Sequence, residues 1–182
     1  MFQKLLARIG ETFGRRGLPY MVIGGQAVLL YGEPRLTRDI DITLGLGADR
    51  IDEILYIAEE LSLRPIPKDI KDFVRQTMVL PSIDDVTGIR VDFVFSFTPY
   101  EMEAIGRARK IVINGQGVRF ASPEDLIIHK IFAGRLRDIE DVRTVLLKNS
   151  GIDIPYIKNW LKEFDSASDE KNFLKTFEGI LG

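Results

Sequence analysis

The sequence predicts an α+β or α/β core over residues 1–121, followed by a helical segment over residues 122–182. Two observations lead to this fold class. In the first part, apolar residues at helical spacing alternate with short apolar runs of strand type, separated by glycine-containing turns. In the second part only helical spacing remains. Because no repeat or Ser/Pro-rich linker divides the chain, the helical segment either packs on the core or continues it as one domain.

The first elements are a helix, a strand and a second helix. Apolar residues recur at helical spacing between residues 2 and 13, which predicts an amphipathic helix over 2–16. The apolar run 20–23 is typical of a short buried strand. Gly24 and Gly25 follow it and predict a tight turn into the second helix, because glycine adopts backbone conformations that other residues resist.

The acidic strand comes next. Ile40 and Ile42 alternate with aspartates, which predicts a strand with one apolar and one acidic face. Asp49 is placed to cap the helix that follows. The remaining core elements are predicted as strands over 77–80 and 89–95, a brief helix from Pro99, and a hairpin over 110–120 with an Asn-Gly turn.

The segment from Ser122 onward is predicted to be helical. Ser122 precedes Pro123 and two acids, an arrangement that caps a helix and complements its dipole. Helices are predicted over residues 123–134, 137–148, 154–165 and 168–180.

Composition excludes several kinds of chemistry and of partner. The 182 residues contain no cysteine and a single histidine, which excludes disulfides, thiolate-bound metals and histidine-rich metal sites. A net charge of −2 excludes the global basic field of a dedicated nucleic-acid-binding protein. The N-terminus has no signal segment and no apolar stretch would span a bilayer, so we expect a cytoplasmic protein without a membrane partner. Any metal site must use carboxylates, which favour Mg²⁺ or Mn²⁺.

Three aspartates in predicted strands form the candidate metal site. Asp39 and Asp41 are two residues apart, so their side chains project from one face of a strand. Asp92 lies in another predicted strand, and the three acids converge if the two strands pair. Close carboxylates repel one another unless a cation neutralises them, so the cluster indicates metal binding. The alternative is an Asp-x-Asp pair on an exposed strand face without a function.

Candidate phosphate ligands lie just before these acids. Gly24 and Gly25 stand between a strand and a helix, where backbone N–H groups and the positive helix end favour a phosphate; the alternative is a steric turn. Arg35, Thr37 and Arg38 supply two guanidinium groups and a hydroxyl that suit phosphate oxygens. A solvated loop is the alternative for this segment.

The order of these motifs resembles the polymerase-beta-type nucleotidyltransferase superfamily. Its signature is a hydrophobic residue before Gly-Gly or Gly-Ser, a short spacer, a hydrophobic-flanked Asp-x-Asp and a later strand acid. The chain matches it with Ile23-Gly24-Gly25, thirteen residues between Gly25 and Asp39, Asp39-Ile40-Asp41-Ile42 and Val91-Asp92-Phe93. The segments 23–27, 35–41, 122–126 and 135–138, together with Lys130 and Asp141, look like the AbiEii-like branch, which includes toxin components of toxin–antitoxin systems.

The resemblance implies a small mixed β-sheet flanked by helices, and transfer of a nucleoside monophosphate from an NTP such as ATP to a hydroxyl of RNA, a protein or a small molecule. Asp39, Asp41 and Asp92 would bind two Mg²⁺ (or Mn²⁺) ions, with Asp92 beside the attacking hydroxyl. Gly24 and Gly25 would cradle the triphosphate. The AbiEii-like branch also implies an antitoxin-type protein partner, although a stand-alone transferase fits the motifs equally well.

The helical segment carries three further candidates. Lys130 either reaches a β- or γ-phosphate or is an ordinary helix-surface lysine. Arg137 and Asp138 are expected to form a structural ion pair, and His129 is expected to be a partly buried structural histidine. For the whole chain, the alternatives to a transferase are a nucleotide- or partner-binding module without turnover, and a nuclease or phosphohydrolase that uses the same acids.

Overall fold

The computed structural model describes residues 1–168 and 172–182 and divides into two compact units. The first unit comprises residues 1–26 and 36–121, and the second comprises residues 27–35 and 122–182. The described strands all lie in the first unit: β1 (Tyr20–Ile23), β2 (Asp39–Leu44), β3 (Arg64–Pro65), β4 (Val79–Ile83), β5 (Arg90–Phe95), β6 (Arg109–Ile113) and β7 (Gln116–Phe120). Its helices are α1 (Phe2–Arg16), the start of α2 (Gly24–Tyr31), α3 (Ile51–Glu60), α4 (Ile70–Thr77) and α5 (Pro99–Arg107).

The seven strands form one mixed sheet in the order β3-β4-β5-β2-β1-β7-β6. The central strand β2 pairs antiparallel with β1 and parallel with β5. Strand β4 runs antiparallel to β5 on the far side, and β7 runs parallel to β1. The predicted fold class, a small mixed sheet flanked by helices, is therefore confirmed.

The core of the first unit lies where helix α1 packs on the sheet. Alternating burial along β2 and β5 places Ile40, Ile42, Val91 and Phe93 on a fully buried face. The Phe13 ring of α1 lies 6.2 Å from that of Phe93. Burying the apolar face of each strand favours this register, because a one-residue slip would turn those side chains to the other face.

The structure adds one helix to the first unit and corrects one predicted strand boundary and one predicted helix cap. Helix α4 was not predicted from the sequence; it occupies the residues just before β4, so β4 begins at Val79 and not at Thr77. Met78 ends α4 with φ 58°, a left-handed conformation in a residue other than glycine. Asp49 does not cap the next helix, because it lies within a 3-10 turn (Ala48–Arg50) and Arg50 holds the cap position of α3.

The predicted hairpin is confirmed. Strands β6 and β7 pair antiparallel, with Ile113 opposite Gln116. The two residues between them, Asn114 and Gly115, have φ angles of 49° and 80°. Positive φ at both central positions is what a tight two-residue turn requires.

The second unit is helical. Besides the rest of α2 it contains α6 (Pro123–Ala133), α7 (Leu136–Lys148), α8 (Ile154–Ser166) and α9 (Phe173–Leu181). Ser122 caps α6 by accepting a hydrogen bond from the Asp125 N–H, and Gly134 ends it with φ 65°. Residues 169–171 of the predicted helix 168–180 lie outside the described residues, and α9 begins at Phe173. The division into a core over 1–121 and a segment over 122–182 stays a prediction.

The helices of this chain are short. The longest described one, α1, has 15 residues. A membrane-spanning helix needs about 20 predominantly apolar residues. No helix in the described part of the chain is long and apolar enough to cross a membrane.

Candidate active site

The candidate active site is an acidic face on two adjacent strands of the first unit. Strands β2 and β5 run parallel, with Asp41 directly opposite Asp92. Asp39 precedes Asp41 by two residues and therefore lies on the same face. All three aspartates are partly exposed, whereas the residues between them are buried on the opposite face. The pairing of the two acidic strands, on which the convergence of the three acids depends, thus exists in the structure.

The two glycines of the predicted turn lie directly against this acidic face. Gly24 has φ +64°, and a Cβ atom there would overlap the carboxylate of Asp41. A Cβ at Gly25 would overlap the Thr37 hydroxyl. Helix α2 begins at Gly24, so its N-terminal end closely approaches Asp41 only because neither position carries a side chain. Backbone N–H groups of a helix start are ready donors for an anion.

Two polar side chains fix the first acid of the pair. The Thr37 hydroxyl donates to Asp39 Oδ1 at 3.1 Å. The buried Gln26 side chain donates through Nε2 to the Asp39 carbonyl oxygen at 3.3 Å. Sequence reasoning placed Thr37 at the site as a phosphate ligand and missed Gln26. The signal for Gln26 was present, because it is the polar residue that interrupts the apolar run 20–31.

Arg90 also belongs to this face, and sequence reasoning missed it. It lies two residues before Asp92 on β5 and opposite Asp39 in the register. Its Nε donates to Asp92 Oδ1 at 2.7 Å. This hydrogen bond, supported by the charges of Asp92, Asp39 and Asp41, raises the pKa of Arg90 above its ordinary value. The signal was the spacing of two residues, which puts Arg90 and Asp92 on one face of the strand.

The donor chemistry of this face fits a hard divalent cation. Three carboxylates on one face of paired strands supply the oxygen ligands that Mg²⁺ and Mn²⁺ prefer. Across residues 1–168 and 172–182, however, no three carboxylate or histidine side chains are gathered closely enough to hold a metal ion as they stand. Asp92 is turned to Arg90, so the side chains would have to rearrange around a cation.

A cavity of about 640 Å³ borders the acidic face on the side of Arg90. Its volume lies within the range of small-molecule sites. Pro81, which lines it, is opposite Asp92 in the pairing of β4 with β5. The rest of the lining comes from Arg90, helix α4 and the segment before it: Ile66, Pro67, Lys68, Asp69, Asp72, Phe73 and Gln76. Since α4 was absent from the sequence prediction, this cavity was missed as well.

Comparison with known proteins identifies the family. The model of the family described as nucleotidyltransferase of unknown function (DUF6036) matches residues 2–178. The chain belongs to this family. No curated protein matches this nucleotidyltransferase.

Solved structures share the fold of this nucleotidyltransferase at low sequence identity. ANT(2")-Ia, in complex with adenylyl-2"-tobramycin, is 21% identical with a TM-score of 0.60, over 91% of this chain and 97% of that one. The lincomycin-bound lincosamide antibiotic adenylyltransferase LnuA is 15% identical with a TM-score of 0.56, over 80% and 97%. A putative nucleotidyltransferase from Thermotoga maritima is 18% identical with a TM-score of 0.53, over 81% and 94%. At these identities the likeness establishes the fold.

In the second unit of this nucleotidyltransferase, Lys130 lies at the centre of a buried charge network. It is only 6% exposed, so its interpretation as a helix-surface lysine is wrong. Its Nζ lies 2.7 Å from Asp138 Oδ1 and 2.9 Å from Asp141 Oδ2. Burial raises the pKa of Asp138, but hydrogen bonds from Lys130 and Arg135 outweigh it, and the net shift is downward. Arg35 donates to both oxygens of Asp141, at 3.1 and 3.2 Å.

Two other residues singled out in the sequence, Arg38 and His129, lie in opposite surroundings: the first is exposed and the second is partly buried. Arg38 is exposed on the segment that leads into β2. His129 is partly buried on α6, as expected, and burial of the imidazole together with the charge of Lys130 lowers its pKa to about 4. The imidazole is therefore neutral at pH 7.

Asp138 pairs with Lys130 and Arg135, so the partners of this acid differ from the expected Arg137.

Proposed function

We propose that the protein transfers a nucleoside monophosphate from an NTP to a hydroxyl group of a small molecule, with release of pyrophosphate. One observation carries the proposal: Asp39, Asp41 and Asp92 share one face of two paired strands, directly against the Gly24 start of a helix. Phosphoryl transfer needs carboxylates that hold cations and, beside them, backbone N–H groups that bind phosphate.

Each acid has a proposed role in that reaction. Asp39, Asp41 and Asp92 would hold divalent cations, Mg²⁺ or Mn²⁺, which neutralise the charge that develops on the entering and leaving oxygens. Asp92 would take the proton of the acceptor hydroxyl as the new O–P bond forms at the α-phosphorus. The bond from the α-phosphorus to its bridging oxygen then breaks, and pyrophosphate leaves.

The nucleotide would be held mainly by the backbone. The N–H groups at Gly24 and Gly25 would cradle the triphosphate at the positive end of α2. The exposed Arg38 guanidinium and the Thr37 hydroxyl would add donors for phosphate oxygens. For Arg35 and Lys130 nucleotide binding stays a prediction from their side-chain chemistry, since in the second unit both pair with Asp141.

Two observations favour a small-molecule acceptor over RNA or protein. The cavity beside Arg90 has a volume of about 640 Å³ and combines an exposed aromatic residue, Phe73, with the polar side chains of Lys68, Asp69 and Gln76. Two proteins of the same fold have structures with small molecules: ANT(2")-Ia is in complex with adenylyl-2"-tobramycin, and LnuA is bound to lincomycin. ATP is therefore the first donor to test.

The finer parts of the resemblance belong to this proposal. Membership of the AbiEii-like branch, action as a toxin and an antitoxin-type partner rest on the motifs at 23–27, 35–41, 122–126 and 135–138, with Lys130 and Asp141. We place the reaction in the cytoplasm, where NTPs are made. A toxin would arrest growth when expressed alone and would be rescued by the product of a neighbouring gene, whereas a stand-alone transferase would do neither.

The test is transfer of label from each α-labelled NTP with Mg²⁺, using pools of small metabolites, RNA and protein as acceptors. The proposal expects a labelled small molecule plus pyrophosphate from the wild-type protein. Asp39→Asn and Asp92→Asn should reduce transfer by at least about 100-fold, the range that loss of a group in direct contact with the reaction produces. Labelled RNA or protein alone would overturn the small-molecule acceptor.

A second candidate function is a binding module without turnover. The hydrogen bond between Arg90 and Asp92 favours it, because it engages the acid that the reaction needs. This alternative expects nucleotide binding without transfer, and no consequence of Asp92→Asn. Release of phosphate without a labelled acceptor would instead indicate a phosphohydrolase.

A further inference from the structure

The acidic face already has a positively charged partner. Arg90 donates from Nε to Asp92 Oδ1 at 2.7 Å, and it stands opposite Asp39 in the strand register. Its side chain is 52% exposed, whereas that of Asp92 is 17% exposed. The Asp92 carboxylate is therefore the more enclosed member of the pair, and Arg90 is the more exposed one. The guanidinium lies where a divalent cation would bind to Asp92.

We propose that Arg90 is an internal competitor of the divalent cation, which must leave Asp92 before the metal site can form. This inference rests on the proposed function, because it takes the three aspartates as the metal ligands. In the metal-free protein Arg90 relieves the repulsion among the carboxylates. When a cation binds, it replaces the guanidinium on Asp92, and the positive charge of Arg90 weakens its binding.

The surroundings of Arg90 allow that displacement. The side chain is half exposed, and it also lines the 640 Å³ cavity beside the acidic face. Leaving Asp92 therefore needs a rotation about side-chain bonds, with no break in the sheet. The carboxylate of Asp69 lines the same cavity. Metal loading would then change the charge of the cavity proposed for the acceptor.

An ordinary surface ion pair is the competing explanation, and the chain contains one for comparison. Arg64 donates to Asp85 through both Nε and a terminal nitrogen, with side chains 60% and 57% exposed. Such exposed pairs contribute little to stability. Arg64 lies in the edge strand β3 and pairs with Asp85, not with the acidic face. Arg64→Gln therefore removes one positive charge from the same sheet and leaves the three aspartates unchanged. It is the matched control for Arg90→Gln.

The test measures binding of Mn²⁺ alone, from the electron paramagnetic resonance signal of the free ion, without nucleotide or acceptor. Wild type, Arg90→Gln, Arg64→Gln and Asp92→Asn are compared at equal ionic strength. Arg90→Gln should bind Mn²⁺ about tenfold more tightly than wild type, the order expected when a unit charge is removed a few ångström from a divalent cation. Arg64→Gln should match wild type, and Asp92→Asn should bind more weakly.

The outcomes separate this inference from the proposed function. If wild type binds Mn²⁺ through Asp92 but Arg90→Gln binds it no more tightly than Arg64→Gln does, the competitor role is overturned while the metal site stands. If no variant binds Mn²⁺, the metal site itself is overturned. If Asp92→Asn binds as well as wild type, the cation sits elsewhere and both ideas fail. Circular dichroism and thermal unfolding check that each variant is folded, which the exposure of Arg90 and Arg64 favours.

Discussion

Gly24 is the residue at which the backbone and the acidic face meet most closely. A Cβ there would overlap the Asp41 carboxylate, and φ is +64°. We predict that Gly24→Ala destabilises the protein by about 1–3 kcal/mol, as a non-glycine residue in a left-handed conformation does, and weakens ATP binding because Asp41 must move. Urea unfolding and calorimetric titration measure the two effects.

The control for that substitution is Gly14→Ala. Gly14 lies inside helix α1, and a Cβ there meets nothing within 4 Å. Alanine should therefore be neutral or stabilise by about 0.5–1 kcal/mol. Equal unfolding energies and equal ATP affinities for the two variants would show that Gly24 is not needed for close approach.

His129 makes stability depend on pH in a predictable direction. Burial and the charge of Lys130 lower its pKa to about 4, while the unfolded chain has a value of about 6.5. Between these values the unfolded state binds the proton and the folded state does not, so stability falls as pH falls from about 6.5 towards 4. We expect the free energy of unfolding to lose about 2 kcal/mol between pH 6.5 and 5 through this residue.

Urea unfolding of wild type and His129→Phe across that pH range checks this. Carboxylates titrate alike in both proteins, so the difference between their unfolding energies isolates the imidazole. The difference should change by about 2 kcal/mol with pH. A difference that stays constant would mean that His129 has its ordinary pKa in the folded protein.

At the scale of elements, the charge network of Lys130, Asp138 and Asp141 joins α6 to α7. Both carboxylates are at most 5% exposed. Lys130→Met would leave them buried without their amine partner, so we predict a loss of about 3–5 kcal/mol in the free energy of unfolding. Lys158→Met is the control, because its pair with Glu178 is exposed and should contribute at most about 1 kcal/mol. Chemical denaturation compares them, and similar losses would contradict the burial argument.

Elements with a strong local signal were predictable from the sequence, and elements defined by long-range contacts were not. Helix α1, strand β2 and the Asn114-Gly115 hairpin each follow from spacing or turn chemistry within the element. Helix α4 was missed although Ile70, Phe73 and Val74 recur at helical spacing, since it has only eight residues and ends at Met78, where no glycine marks the stop. Because α4 was not predicted, the cavity that it lines was not predicted either.

The same limit applies to the site. Asp39 and Asp41 share a strand, so their common face was predictable, and the position of Asp92 followed once its strand was taken to pair with theirs. The parallel register itself depends on residues about 50 positions apart and has no local signal. For Lys130 the sequence left a phosphate ligand and a surface lysine open, because its buried position depends on acids of the next helix.

At the scale of the whole molecule, ligand binding should appear as added stability. A ligand that binds only the folded state at 100 times its dissociation constant adds about 2.7 kcal/mol, which raises the Tm of a protein of this size by about 5–10 °C. We predict such a rise with ATP and Mg²⁺ together, and a much smaller one with ATP and a chelator. Differential scanning calorimetry measures it, with Asp39→Asn as the control. A rise in Tm that is equally large with the chelator and in the Asp39→Asn variant would place the nucleotide away from the acidic face.

The pairing of β2 with β5 couples the burial of apolar side chains to the alignment of the three aspartates. A slip by one residue in either strand would push aspartates into the apolar interior and leave Ile42 or Phe93 in water. A misaligned sheet would therefore be unstable, so that a folded molecule with displaced aspartates is not expected to persist. A requirement for a stable fold alone would thus preserve the alignment of the three acids.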